Sequence, residues 1–241
     1  MRRGAAAAAN PSTSEPLAPL DLIQIEEPGT NRDTIEDKGL AIGIEPTKTG
    51  IRAAISVGGN LEVLRSSDGG LELVPLSHDM KADMRNLLRD IAMRTGRLVT
   101  GVALVFWPSD DLAWKGEKFL AVEGNGAEVL AMVEGQLAIS LAGGLEARGP
   151  GHWLFVEHTG HYFQLTRLET EDRLYFDCHA VADPDDVIGT ANRMGKVDGV
   201  IAPGVAEGPV IAAALGVPLL EGFDDPSLAV RGAAILAEAL A

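Results

Sequence analysis

Residues 151–167 read Gly151-His152-Trp153-Leu154-Phe155-Val156-Glu157-His158-Thr159-Gly160-His161-Tyr162-Phe163-Gln164-Leu165-Thr166-Arg167. The apolar run Trp153 to Val156 stops at Glu157, a polar turn follows over His158 to His161, and Tyr162 to Thr166 turns back. This pattern predicts strand, turn, strand. The same plan occurs earlier. Leu40 to Ile44 is apolar, Glu45 ends it, Pro46-Thr47-Lys48-Thr49-Gly50 turns, and Ile51 to Ser56 returns. Glu45 and Glu157 fall at the same place, and Thr47 and Thr159 follow each acid at the same offset. A repeat of this kind is a stronger guide to architecture than any single motif. It predicts two lobes, each opening with a hairpin that aims an acid and a hydroxyl at a shared cleft.

Composition sets the bounds. A chain of 241 residues with 46% hydrophobic and 23% charged residues can bury a real core. The net charge of −15 argues against nucleic acid as a partner class and disfavours anionic membrane surfaces. A single cysteine, Cys178, rules out an internal disulfide framework and fits a reducing cytosol, so a cytoplasmic location is expected. No apolar run reaches the roughly 18 residues of a membrane helix. The alanines after Met1-Arg2-Arg3 are too few and too weakly apolar for a signal peptide. Residues 1–37 lack a sustained apolar period and are expected to be a disordered extension. Within them Leu20-Asp21-Leu22-Ile23-Gln24-Ile25, followed by Glu26 and Glu27, is an apolar island. It reads either as a strand laid along its own domain or as a short peptide that docks on a protein partner.

Further along, Gly58-Gly59-Asn60 predicts a hairpin turn, and Leu71 to Pro75 a strand continuing an antiparallel meander. Met80, Met84, Leu87, Leu88 and Ile91 form one helical stripe, capped by Ser77 or Asp79 and stopped by Gly96. Leu98 to Trp107 reads as a strand buried on both faces. A helix over Asp111 to Val122, a strand over Ala127 to Val133 and a helix from Glu134 to Gly144 follow. Residues 145–150 link the lobes. Leu174 to Val181 is the third strand of the second lobe. Asp183-Pro184 is expected to cap a helix running to about Met194, and Asp225-Pro226 to begin the last helix. Gly232 among alanines points to close helix packing, because glycine otherwise costs helix stability. Trp107, Trp114 and Trp153 read as core residues.

Over residues 38–241 the plan resembles the actin-like ATPase superfamily, and within it the nucleotide-binding domain of DnaK-type chaperones. Gly43-Ile44-Glu45-Pro46-Thr47-Lys48-Thr49 resembles the family's G-I-D-L-G-T-T loop, and Glu157 to Gln164 its D-L-G-G-G-T-F-D loop. Ala202-Pro203-Gly204-Val205 stands where the family's adenosine loop begins. Asp225 to Ala237 is similar to the family's closing P-x-E-A-V-A-x-G-A-A-I helix, the most specific match in the chain. The span between residues 167 and 197 is too short for the helical lid inserted there in chaperones. The resemblance therefore implies an α/β protein of two ribonuclease-H-like (actin/DnaK-type ATPase) lobes, 38–148 and 149–241, with the lid subdomains missing.

The resemblance also implies a site. Glu45 and Glu157 take the place of the catalytic acids. Thr47, Lys48, Thr49, Thr159, Gly160, His161, Pro203 and Gly204 take the place of the nucleotide-binding loops. ATP or ADP with magnesium is the implied ligand. The residues depart from what that chemistry needs. Pro46 removes an N–H donor, threonines replace loop glycines, and Glu for Asp pushes each carboxylate outward against an octahedral magnesium. The family's catalytic lysine belongs to the missing lid, leaving Lys48 as a nearby substitute. The expectation is a non-hydrolysing adaptor or assembly factor for a cytosolic complex, with an ATP-binding switch or weak ATPase, or a reactivase-like chaperone, as rivals. His158, His161 and the Cys178-His179 pair permit zinc chemistry, but histidines in turns read more simply as solvated, so no metal is assigned.

Overall fold

The computed structural model describes residues 39–170 and 174–241. The expected extension at 1–37, including the island at 20–27, lies outside the described residues. The chain is an α/β protein with two mixed sheets and covering helices.

Strand β1 (Leu40–Pro46) is buried along its whole length. Its alternation assigns the two faces. Leu40, Ile42 and Ile44 join one core cluster, whereas Ala41 joins another. Strand β2 (Gly50–Val57) pairs antiparallel with β1, and β3 (Asn60–Val63) pairs antiparallel with β2. The short β4 (Val74–Pro75) corrects the expected meander. It pairs with Gly50 and Ile51 at the start of β2, because β3 already occupies residues 54–57 of that edge. Helix α1 (Met80–Thr95) is capped by Asp79, which accepts from the Ala82 N–H, and ended by Gly96 at φ 68°. Its apolar stripe meets Ile42, Ile44 and Leu104 in the core. Strand β5 (Val99–Phe106) runs parallel to β1, helix α2 (Leu112–Glu123) packs beside α1, and β6 (Glu128–Glu134) lies parallel to β5. The order of the first sheet is β3-β2-β1-β5-β6.

Helix α3 (Gly135–Ala142) and a short 3-10 turn at Leu145–Arg148 lead to β7 (Gly151–His158). Strands β8 (Phe163–Thr170) and β9 (Leu174–Ala182) continue antiparallel, and β10 (Gly199–Ile201) pairs parallel with β7. The second sheet therefore runs β9-β8-β7-β10, the order that β3-β2-β1-β5 has in the first. The expected helix after Asp183 is split into a 3-10 turn, Pro184–Asp186, and helix α4 (Val187–Arg193), and the Asp183 side chain caps nothing. Helix α5 (Gly208–Leu215) covers the outer face with α4.

The last helix, α6 (Leu228–Leu240), starts two residues later than expected, with Ser227 at its N-cap. Asp225 instead stabilises the entry, accepting from the Ser227 N–H and hydroxyl at 2.9 and 2.7 Å. Although it follows the second sheet in sequence, α6 packs on β1, β2 and β5 of the first and against α3. The core between the sheets is built from α3 and α6 together with Ala103 and Val105 below and Trp153 and Phe155 above. Leu154 and Val156, one residue out of phase, face α4 and α5.

The close helix packing expected of Gly232 is present. A Cβ there would lie 1.9 Å from the Ala138 carbonyl oxygen on α3. That neighbour is backbone and cannot swing away. Gly232→Ala is expected to destabilise the fold by about 2–4 kcal/mol in urea unfolding, against helix propensity. Gly116 in α2, where a Cβ would meet nothing within 4 Å, is the control. Gly116→Ala is expected to stabilise by about 1 kcal/mol.

Candidate functional site

Strand alternation carries both acids to the middle of the molecule. Glu45 shares the β1 face of Ala41, and Glu157 the β7 face of Trp153 and Phe155, so each points toward the layer of α3 and α6. The two hairpin turns match atom for atom. The Thr47 N–H and Oγ1 both donate to the Gly50 carbonyl at 2.8 Å. The Thr159 N–H and Oγ1 both donate to the Tyr162 carbonyl at 2.9 Å. Each hydroxyl proton is committed to its own turn.

A cleft of about 930 Å³ opens between the hairpins, lined among others by Thr47, Lys48, Glu157 and Thr159. A smaller cavity of about 250 Å³ is lined by Glu45, Glu157, Pro203 and Gly204. Trp107, Glu157 and His158 border both. Most of the expected site residues thus fall into two groups. Thr47, Lys48 and Thr159 meet in the first, Glu45, Pro203 and Gly204 in the second, and Glu157 joins the two. Thr49, Gly160 and His161 lie on the turns outside both linings. Thr49 is held by Thr47 and Glu72, Gly160 supplies a φ of 91°, and His161 is exposed against the edge of Tyr162. Of the three tryptophans expected in the core, only Trp153 fits fully; its indole donates to Thr170 at 3.0 Å. Trp107 and Trp114 wall the larger cleft, because the chain turns at Pro108 before α2 begins.

Glu45 is almost inaccessible. Burial pushes its carboxyl up, and Arg52 opposes this. Arg52 is its register partner across the hairpin, with Nη1 at 3.4 Å from Oε2. The same guanidinium donates to the Pro226 carbonyl at 3.0 Å and to Glu72 at 3.1 Å. Glu157 has a different partner. Gln136, a fully buried residue of α3, donates its Nε2 to Oε2 of Glu157. Burial raises the Glu157 carboxyl to about 7, Gln136 opposes the rise, and the neighbouring Asp110 and Glu134 add to it. Asp110 accepts from the Trp107 N–H at 2.9 Å and binds Lys118 at 2.6 Å. The Lys118 side chain is fully buried, which lowers its pKa, while Asp110 holds it up.

Arg52, Asp110, Lys118 and Gln136 were missed by the sequence reading. Arg52 was findable by counting back from the turn. Lys118 carried a weaker signal, four residues after Trp114 on an otherwise apolar helical stripe. Gln136 carried none. Of the zinc-permissive residues, His158 stacks on Phe163 with ring centres 4.9 Å apart, and His179 bonds Thr166 and pairs with Glu134. Among the described residues no three of His, Cys, Asp and Glu come together in a way that could hold a metal ion. No described helix is long and apolar enough to cross a membrane. No protein-family model matches the chain, and no curated protein matches it.

Two outcomes follow from these pairings. The folded protein holds Glu157 protonated more readily than the unfolded chain does, so this group's contribution is fully present below about pH 4.5 and is lost as pH rises to about 7. Glu157→Gln removes that loss, and chemical unfolding at pH 8 should show the variant more stable by roughly 1–3 kcal/mol, with a flatter pH profile. Arg52→Met takes the ion-pair partner from the buried Glu45 and leaves it only the Trp107 side-chain hydrogen bond and the charge of Lys118. It is expected to cost about 3 kcal/mol, much of it recovered in the double variant Arg52→Met/Glu45→Gln, as a double-mutant cycle would measure.

Proposed function

We propose that this chain is a minimal two-lobed protein of the actin/DnaK type, built on two ribonuclease-H-like lobes without lids, that serves as a non-hydrolysing adaptor or assembly factor for a larger complex. The repeated strand order β3-β2-β1-β5 and β9-β8-β7-β10 supports the two-lobe reading. The observation that carries the function is the Arg52 bolt. A protein cation is bound at the very acid, Glu45, that the family resemblance would give to magnesium chemistry, and it is tied further to Glu72 and the Pro226 carbonyl.

The remaining donors agree. A phosphate cradle needs backbone N–H groups and free hydroxyls. Pro46 has no N–H, and the Thr47 and Thr159 hydroxyls donate to turn carbonyls. Glu157 is held by a glutamine and pairs with no cation among the described residues, a poor setting for a polyphosphate. These residues do not fit magnesium and ATP.

One observation favours a second reading. The cleft of about 930 Å³, with Thr47, Lys48 and Thr159 on its wall, is large enough for a nucleotide, which supports an ATP-binding conformational switch. Calorimetric titration with ATP and with ADP, each with magnesium, separates the two. The adaptor reading expects no heat and no thermal shift at millimolar nucleotide. A micromolar isotherm would overturn it in favour of the switch.

A further inference from the structure

The cleft wall carries an unusual combination of groups for a site that binds nothing. Aromatic rings of Trp107, Trp114 and Tyr162 face it, and Asp110, Asp111 and Glu157 supply the charge. Two of those acids are spoken for. Asp110 is neutralised by Lys118, and Asp111 accepts from the Trp114 N–H at 2.7 Å as the cap of α2. Glu157 differs from both. Among the described residues it pairs with no cation, and its one side-chain partner is Gln136.

Gln136 fixes that carboxylate in place from α3. Its side chain is fully buried, Nε2 is used on Glu157, and Oε1 has no hydrogen-bond partner among the described residues. Gln136 lines neither cavity, so it holds the carboxylate from the helical layer, while Glu157 itself borders both cavities. A donor-rich, positively charged group answers a carboxylate and aromatic walls together. A guanidinium does so, with five N–H donors in a planar fork and a face that stacks on aromatic rings. The chain's net charge of −15 favours the approach of such a group.

We propose that the cleft between the two hairpins receives an arginine side chain from a partner protein, with Glu157 as its counter-ion, held in place from α3 by Gln136, and Trp107 and Tyr162 as its walls. The inference rests on the adaptor reading and names the chemistry of the partner. Lys48, exposed on the first turn, is the lysine on the wall of the larger cleft and stands on the opposite hairpin from Glu157. Arg52 is already committed to Glu45, Glu72 and the Pro226 carbonyl.

The test uses the full chain and a blocked pentapeptide with a central arginine, read by the change in tryptophan fluorescence, to which Trp107 and Trp114 of the wall contribute over the constant signal of the buried Trp153, at about 150 mM salt, where exposed charges are largely screened. The same peptide with citrulline keeps the shape and removes the charge. The arginine peptide is expected to give a saturable change, the citrulline peptide none, and a lysine peptide a weaker one. Glu157→Gln should weaken the arginine peptide about tenfold or more, whereas Glu62→Gln, exposed on β3 and away from both cavities, should change it by less than about twofold. The protein without substitution provides the same test through pH. Glu157 faces Asp110 and Glu134, and shares the smaller cavity with Glu45, Arg52, His158 and Asp225. Binding should weaken as pH falls below about 7 and Glu157 is protonated. Equal curves for arginine and citrulline, or equal effects of Glu157→Gln and Glu62→Gln, would overturn the proposal. A parallel arm with magnesium and ATP keeps the two readings apart. Micromolar nucleotide binding overturns the adaptor reading, while failure of the arginine arm alone overturns only this inference.

Discussion

The contact between Gly232 of α6 and the backbone of Ala138 on α3 sets the spacing of the whole molecule. Two helices usually pack with axes about 8–10 Å apart, depending on the side chains between them. Here one helix presents no side chain, and the other meets it with a carbonyl. The opposite side of α6 repeats the arrangement, since a Cβ on Gly43 of β1 would lie 2.3 Å from the Ala234 nitrogen. The last helix is thus wedged between α3 and β1 with glycine at both crossings. Any thicker residue at either point would push α6 off the first sheet and separate the two sheets that share its core.

This wedge also explains why the cleft has its present form. Because α6 lies against β1, the segment just before it reaches Arg52, which donates to the Pro226 carbonyl. The same guanidinium pairs with Glu45. One side chain therefore joins the two strands of the first hairpin to the start of the final helix. On the other side of the layer, the first turn of α3 delivers Gln136 to Glu157. Each acid is held by the helical layer from a different end. Since α6 is the last element and β1 the first described, the first sheet completes its inner face only when these two distant segments meet. Such long-range closure favours slow folding.

Much of this architecture was legible in the sequence, and for identifiable reasons. The α1 stripe, the β5 run and the paired hairpins are strong periodic signals, and the structure carries them with shifts of one or two residues at most ends, β8 alone running four residues further, to Thr170. Gly232 was legible because glycine weakens an alanine-rich helix unless a neighbour needs the space that a side chain would fill. The failures share a cause. β4 took the open half of the β2 edge, Pro184 began a 3-10 turn, and α6 began at Leu228. Each was decided by what space neighbouring elements had left, which local patterns do not encode. Within the site, the acids were legible from their repeat. Their partners were not, because Arg52 meets Glu45 through the hairpin register, and Lys118 and Gln136 are brought to Asp110 and Glu157 by tertiary packing.

The partners matter more than the acids for what the cleft can recognise. A carboxylate at a strand end is compatible with a metal, a proton, a protein cation or a ligand cation. Glu45 has taken a protein cation. Glu157 has taken neither a metal-like ligand set nor a protein cation among the described residues, and the two charged neighbours that raise its pKa share its sign. A polyphosphate brought there would meet the Glu157 carboxylate, which pairs with no protein cation among the described residues. A cation would find that carboxylate unneutralised, its attraction strengthened by the low dielectric of the aromatic wall. The Glu157 end of the cleft therefore suits a cation better than a phosphate. The spacing of the two sheets is set by α6 and its glycines, whereas the charge at this end of the cleft is set by a few side chains that the spacing does not constrain.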